Sequence, residues 1–357
     1  MTKKVLVAMS GGVDSSVAAA LLKEQGYEVI GATMNVWSSY ALRASEDKPS
    51  KSETGCCGIS AAEDAKRVCH VLNIPHYTLN FRDYFRQTVI NDFCSEYKEG
   101  RTPNPCIRCN KYIKFGKFWH KARELGCDFA ATGHYVRNVN GKLLKGKDGK
   151  KDQSYVLYMA TQEDLRHSLF PVGELTKAEV RKLAKKYKLP VHDKEESQEI
   201  CFVEDDDYAR FLKEVDPKSI KPGPIVDKQG KVVGRHEGIA FYTLGQRKGI
   251  GSHKAQPKYV IRIDRETNTI VIGDGGDTLA NELKVEQITF GDGEMERWGD
   301  GEPLSIEAKI RYNSPAAKAV LYPEGRVVFN EPQRSITPGQ SVVFYKGEEV
   351  LGGGIIS

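Results

Sequence analysis

Two groups of residues have the types and spacing for chemistry. One is Ser10-Gly11-Gly12-Val13-Asp14-Ser15-Ser16, which directly follows the apolar run Val5 to Met9 and precedes a helix-forming stretch, Val17–Lys23. A loop of small residues between a strand and a helix lets backbone N–H groups approach phosphate oxygens closely, and the helix N-terminus adds partial positive charge. The hydroxyls of Ser10, Ser15 and Ser16 can donate to the same anion. Asp14 would repel a phosphate, so bridging through Mg²⁺ is its natural role there. A Gly-Gly turn with Ser and Asp caps opening a helix is the structural alternative. The stretch Gly141–Asp148 (GKLLKGKD) misses the GxxxxGK[ST] phosphate-loop pattern at its last position, and no GxGxxG follows a strand.

The other group is made of cysteines. All eight lie in the first 201 residues. In a reducing compartment special cysteines are catalytic, redox-active or metal-binding. Cys106 and Cys109 form a CxxC after Pro103 and Pro105, which disfavour helix before Cys106. Cys109 then stands near the start of a helix rich in Lys111, Lys114 and Lys117. A helix N-terminus and nearby cations favour the thiolate. Cys201 follows Ser197-Gln198-Glu199 in what reads as a short apolar strand. A zinc site needs a second ligand pair, and none stands at the usual spacing. An Fe–S cluster on Cys106, Cys109 and Cys201 stays open as an alternative. Cys69 and Cys127 read as core cysteines, Cys56-Cys57 as loop or packing residues, and His70, Cys94 and His120 as structural.

The elements that must position these residues alternate. Lys4–Met9, Glu28–Asn35, Pro75–Asn80 and Phe129–Thr132 read as strands; Val13–Lys23, Ala61–Leu72, Phe85–Glu99 and Lys114–Leu125 read as helices. That alternation predicts an α/β fold, a doubly wound parallel sheet, over residues 1–208. Residues 38–55 read as a mobile polar loop and 141–152 as a hairpin tip. Past residue 208 short β-like runs appear: Pro224–Asp227, Lys231–Val233, Tyr259–Asp264 and Thr269–Gly273. They predict a small mixed α/β central domain over 209–280. Residues 281–357 continue as strands, ending in Ser341–Tyr345 and Val350–Ile356, and predict a C-terminal β-barrel-like domain.

The chain has 357 residues, 28% of them charged, with a formal net charge of +5. Residues 209–280 carry a net +5, residues 281–357 a net −4 and the first 208 residues the remaining +4. A polyanion is drawn to the first two regions and repelled by the third. No apolar run reaches the length of a membrane span. The N-terminal Met-Thr-Lys-Lys opens no signal peptide. A cytoplasmic protein, not bound to a membrane and monomeric, is expected.

SGGxDSS after a first strand resembles the loop of the N-type ATP pyrophosphatases, which split ATP between the α and β phosphates and adenylate a substrate. The wider set of segments resembles the tRNA-specific 2-thiouridylase family over nearly the whole chain. These segments are Gly31-Ala32-Thr33-Met34, Thr102 to Asn110 (TPNPCIRCN), Ala131-Thr132-Gly133-His134-Tyr135, Lys151-Asp152-Gln153-Ser154-Tyr155, Ser197 to Phe202 (SQEICF), Phe241 to Gly249 (FYTLGQRKG), Lys309-Ile310-Arg311-Tyr312 and Thr337-Pro338-Gly339-Gln340. The resemblance implies an enzyme that adenylates the 2-carbonyl oxygen of the wobble uridine of tRNA and replaces it with persulfide-derived sulfur. It implies that Ala8, Met9, Ser10, Gly11, Gly12, Val13, Asp14 and Ser15, with Met34 and Gly133, hold ATP with Mg²⁺. Cys109 is then the nucleophile and Cys201 the persulfide carrier, loaded by a sulfur-relay donor protein. Asn104, Pro105 and Cys106 meet the target base. Many family members have Asp where this chain has Cys106, which puts proton transfer at that position in doubt. His134, Lys151, Asp152, Gln153, Arg311, Tyr312 and Gln340 contact tRNA, helped by the basic central domain with Arg247, Lys248 and Gly249.

Three other readings compete. A small-molecule synthetase could use the same loop. An Fe–S-dependent tRNA thiolase could deliver sulfur through a cluster. A non-catalytic RNA-binding or sulfur-carrier protein would leave the intact SGGVDSS loop without a use.

Overall fold

The structure, a computed structural model, describes residues 2–36, 59–195, 200–203, 207–251, 256–291 and 301–357. The loop predicted over 38–55, Cys56-Cys57 and Ser197-Gln198-Glu199 lie outside the described residues. The chain divides into two compact units: residues 1–89, 105–206 and 348–350 form one, and residues 90–104, 207–347 and 351–357 the other.

The first unit is built on a parallel sheet of β1 (Lys4–Ala8), β2 (Glu28–Asn35), β3 (His76–Asn80), β4 (Phe129–Ala131) and the two-residue β7 (Ser168–Leu169), in the order β3-β2-β1-β4-β7. Val5, Leu6 and Val7 are wholly buried, as a central parallel strand covered on both faces requires. The helix Val13–Glu24 packs Val17, Ala18 and Ala19 into the same core as Val180 and Ala184 of the helix Lys177–Lys186. The strand order turns back at β1, with β2 and β3 on one side and β4 and β7 on the other. A sheet of this kind takes its ligand at that switch point, outside the carboxyl ends of the strands. The phosphate-loop candidate leaves the end of β1 and Gly133 follows the end of β4.

Three local readings need correction. The helix read from Lys114 begins at Pro105: Pro105–Arg108, then Cys109–Phe118 wound with i→i+5 hydrogen bonds, then Trp119–Glu124. Proline suits a first helical turn, where its missing N–H costs nothing. The hairpin tip is shorter than 141–152. It is the Asn140-Gly141 turn, both residues at positive φ, between β5 (Val136–Val139) and β6 (Lys142–Lys145). Cys201 sits in a turn closed by Val203 N donating to Ile200 O (2.9 Å), and not in a strand.

In the second unit, β8 (Gly223–Val226), β9 (Val232–His236), β10 (Tyr259–Asp264) and β11 (Thr269–Gly273) form a mixed sheet in the order β10-β11-β8-β9. The helix Tyr208–Val215, not read from the sequence, belongs to this unit. The C-terminal strands β12 (Leu279–Phe290), β13 (Leu304–Lys309), β14 (Ala317–Leu321), β15 (Arg326–Arg334), β16 (Ser341–Lys346) and β17 (Glu349–Ile356) run β12-β15-β14-β13-β16-β17. Pairing of Val285 with Ile356 and of Phe290 with Gly352 closes them into a barrel. Among the described residues no helix is long and apolar enough to cross a membrane.

Candidate active site

The loop after β1 is fixed by its own hydroxyls and by tight packing. Met9 is buried, its N–H donating to Ala32 O (2.8 Å) and its carbonyl accepting from Thr33 Oγ1 (2.9 Å). Ser10 N donates to Ser15 Oγ (3.2 Å), and Ser16 Oγ donates to Gly12 O (2.7 Å). Gly11 has φ +66°, and a Cβ there would stand 2.3 Å from Ala61 O. Gly12 occupies the N-cap position of the helix and offers no side chain to its first-turn N–H groups. Gly133, after β4, lies so close that a Cβ would be 2.6 Å from Ser15 N. The carboxyl ends of β1 and β4 therefore meet at this loop. Met34, near the end of the neighbouring strand β2, is buried.

Residues distant in sequence frame the loop, and sequence reasoning missed them. Asp14 accepts from Lys177 Nζ at 2.7 and 2.9 Å and from Tyr135 OH at 2.7 Å. Lys177 is the first residue of a helix whose start is set by a capping box: Thr176 N donates to Glu179 Oε2 (2.7 Å) and Glu179 N to Thr176 Oγ1 (3.3 Å). Lys194 Nζ donates to Gly11 O (3.2 Å) and to Asp64 Oδ2 (2.6 Å). The capping box was legible as TKAE, but nothing local ties Lys177 to Asp14. Asp14 thus faces an ammonium in this structure. Among the described residues no three His, Cys, Asp or Glu side chains are gathered to hold a metal ion, Cys106, Cys109 and Cys201 included.

The cysteines divide by environment. Cys69, Cys94 and Cys127 are buried; burial pushes the Cys69 thiol up to about 12, the Cys94 thiol up to about 11, and raises that of Cys127. Such thiols stay protonated and inert. Cys106 is exposed, and Cys109 and Cys201 are half-buried. Cys201 is anchored by its neighbours: Phe202 and Val203 are buried, and Phe202 meets Phe85 edge-on at 5.7 Å. Iodoacetamide at neutral pH is accordingly expected to label Cys106 at least about a hundredfold faster than Cys69, read peptide by peptide in a mass spectrometer. Equal rates would contradict this division.

Of the residues that the resemblance assigns to tRNA, several are committed internally. His134 is only 8% exposed, with Nδ1 2.7 Å from Thr132 Oγ1. Asp152 accepts from Gly146 N (3.0 Å) and from Ser154 N and Oγ (3.1 and 2.9 Å). Gln153 Oε1 accepts from Tyr135 N (2.9 Å). Lys151 is half-buried on the same turn. In the second unit Arg311 donates to Ser335 O (2.7 Å) and to Arg334 O, and Lys309 Nζ lies 5.6 Å over the Tyr312 ring. Gln340 Nε2 donates to Thr102 O (2.9 Å). In the central sheet's unit Tyr242 OH and Gln246 Nε2 close the Arg247-Lys248-Gly249 turn through Gly249 O and Lys248 O (both 2.9 Å). Of the proposed base-contacting residues, Pro105 is buried and Asn104 half-buried.

A serine-rich loop at the switch point of a doubly wound sheet, with a glycine from the next strand pressed against it, defines the class: a nucleotide-dependent enzyme with a pyrophosphatase-type phosphate loop. Family models match in three consecutive parts: a tRNA methyl transferase HUP domain over residues 3–205, a tRNA methyl transferase PRC-barrel domain over 209–274 and an aminomethyltransferase beta-barrel domain over 280–356. The tRNA-specific 2-thiouridylase MnmA of Carboxydothermus hydrogenoformans is 53% identical, over 99% of this chain and 97% of its own length. That of Symbiobacterium thermophilum is 50% identical, over 100% and 92%. The chain belongs to the tRNA-specific 2-thiouridylase family. A solved 4-thiouridine synthetase in complex with RNA and bound ATP overlaps 54% of this chain and 43% of its own at 17% identity and a TM-score of 0.34, too low to add to that assignment.

Proposed function

We propose that this chain converts a tRNA uridine to 2-thiouridine in two stages, the observation that carries the reading being the phosphate loop at the β1/β4 switch point in a member of this family. In the first stage the uridine 2-carbonyl oxygen attacks the α-phosphorus of ATP, and pyrophosphate leaves. The loop Ala8–Ser15 holds the phosphates, with Met34 and Gly133 bordering the adenosine. Carbonyl oxygen leaves poorly, whereas its adenylate leaves as AMP. Asp14, the loop's one carboxylate, would hold Mg²⁺ against the triphosphate, and the ion would offset the phosphate charge there.

In the second stage Cys201 carries a persulfide supplied by a relay donor. The terminal sulfur attacks C2 and AMP departs. The Cys109 thiolate then attacks the Cys201 sulfur, breaking the S–S bond and leaving C2=S on the base with a Cys109–Cys201 disulfide. A two-electron thiol reductant resets the pair. Asn104, Pro105 and Cys106 meet the base. Lys151, Arg311 and Tyr312 are the tRNA-facing candidates best suited to phosphate and base contact. His134, Asp152, Gln153 and Gln340 shape those surfaces from within. The protein acts as a cytoplasmic monomer.

The test is direct. With ATP, Mg²⁺, a persulfide donor and unmodified tRNA, digestion of the RNA is expected to release 2-thiouridine, seen by mass spectrometry and only when ATP is present. AMP formation that needs a small metabolite and ignores tRNA would instead identify a small-molecule synthetase.

A further inference from the structure

Lys111, Lys114 and Lys117 ride on the same helix, Cys109–Phe118, yet point to different partners. Lys111 Nζ lies 5.4 Å over the Tyr112 ring and Lys117 Nζ 5.0 Å over the Tyr84 ring. Lys114 turns inward to His134, its Nζ 3.2 Å from Nε2. Burial, and then the Lys114 charge, drive the His134 pKa well below the usual range, so the ring is neutral. A neutral ring accepting from Lys114 at Nε2 carries its proton on Nδ1 and donates it to Thr132 Oγ1, 2.7 Å away. Two neighbours therefore fix the tautomer.

Thr132 and His134 flank Gly133, which is pressed against the Ser15 amide. Lys114 is thereby tied to the segment that packs on the phosphate loop, while its backbone belongs to the i→i+5 segment whose first residue is Cys109. Under i→i+5 winding, residues five apart lie about one turn apart on the same side. Lys114 is five residues beyond Cys109. No ion pair with a described carboxylate takes up its charge, in contrast to Lys177, which is paired with Asp14. A neutral imidazole orients the ammonium without cancelling it.

We propose that Lys114 is the fixed cation of the sulfur-transfer step, steadying the Cys109 thiolate, and that His134 acts through it as a positioning residue. The proposal rests on Cys109 as the nucleophile. A cation one turn away is worth about one pKa unit to a thiol, tenfold in thiolate fraction.

The experiment uses the full chain and iodoacetamide labelling at neutral pH, read peptide by peptide. In Lys114→Met, Cys109 labelling is expected to slow about tenfold, with exposed Cys106 within about twofold of the parent. Lys114→Arg is expected to restore most of the rate. Buried Cys69, Cys94 and Cys127 report on folding, because general loosening would speed their labelling. An unchanged Cys109 rate in Lys114→Met, with those three still protected, overturns the proposal. Should Lys114→Met loosen the fold, His134→Gln carries the test: slower Cys109 labelling with the buried thiols protected supports it, and an unchanged rate overturns it. Turnover by Cys109→Ser in the thiolation assay would remove Cys109 from the reaction without altering the labelling result, so the two failures are distinguishable.

Discussion

Cys109→Ser and Cys201→Ser are each expected to cut persulfide-dependent formation of 2-thiouridine by about a thousandfold or more, while ATP still binds. Serine is nearly isosteric, so packing changes little. Its hydroxyl is a far weaker nucleophile at neutral pH, and it cannot carry a sulfane sulfur. The nucleotide loop is built from other residues: its hydroxyls bond within Ser10–Ser16, and its outer partners are Tyr135, Lys177 and Lys194. Calorimetric ATP affinity should therefore stay within about twofold of the parent, a change of no more than about 0.4 kcal/mol. The readout is nucleoside mass spectrometry of digested tRNA beside AMP release. Normal turnover by either variant with persulfide as donor would end the two-cysteine scheme.

The second large effect is expected from Gly11→Ala. An L-residue at φ +66° is strained by roughly 1–2 kcal/mol. The added carbon would also stand 2.3 Å from Ala61 O, a backbone atom that no side-chain rotation can clear. The loop must shift, and a displacement near 1 Å costs on the order of a hundredfold in rate. AMP formation in the presence of tRNA should fall by at least that factor. Gly276→Ala, where nothing lies within 4 Å, is the matched control and should leave the rate unchanged. Parental AMP formation by Gly11→Ala would mean that this loop does not hold the triphosphate.

Much of this site can be read from local sequence, because local features make it. Strand, small-residue loop and helix are contiguous, so the phosphate cradle shows in Val5–Lys23. Buried Cys69 and Cys127 fall on apolar faces and read as core. Three things escape such reading. Helix winding is one, since the pattern around Cys109 does not distinguish i→i+4 from i→i+5. Ion pairing at long range is another: Lys177 and Asp14 stand 163 positions apart, and only the folded sheet brings them together. Burial of polar groups is the third. His134 is interior because it bonds to Thr132 and Lys114, so a family resemblance that assigns it to an RNA contact says nothing of its depth. The turn at Cys201 is short and held by Phe202 packing on Phe85, a pairing 117 positions long that no window could contain.

The central place of β1 in its sheet has a consequence for biosynthesis. β1 is flanked on one side by β2 and on the other by β4, whose Phe129 to Ala131 are synthesised more than a hundred residues later. The charges that hold the loop come later still, Lys177 on Asp14 and Lys194 on Gly11. At about 5–20 residues per second, the glycine-rich loop waits on the order of ten to forty seconds for the partners that shape it. During that interval β2 can already cover one edge of the apolar strand, while the edge that β4 will fill stays open on the nascent chain.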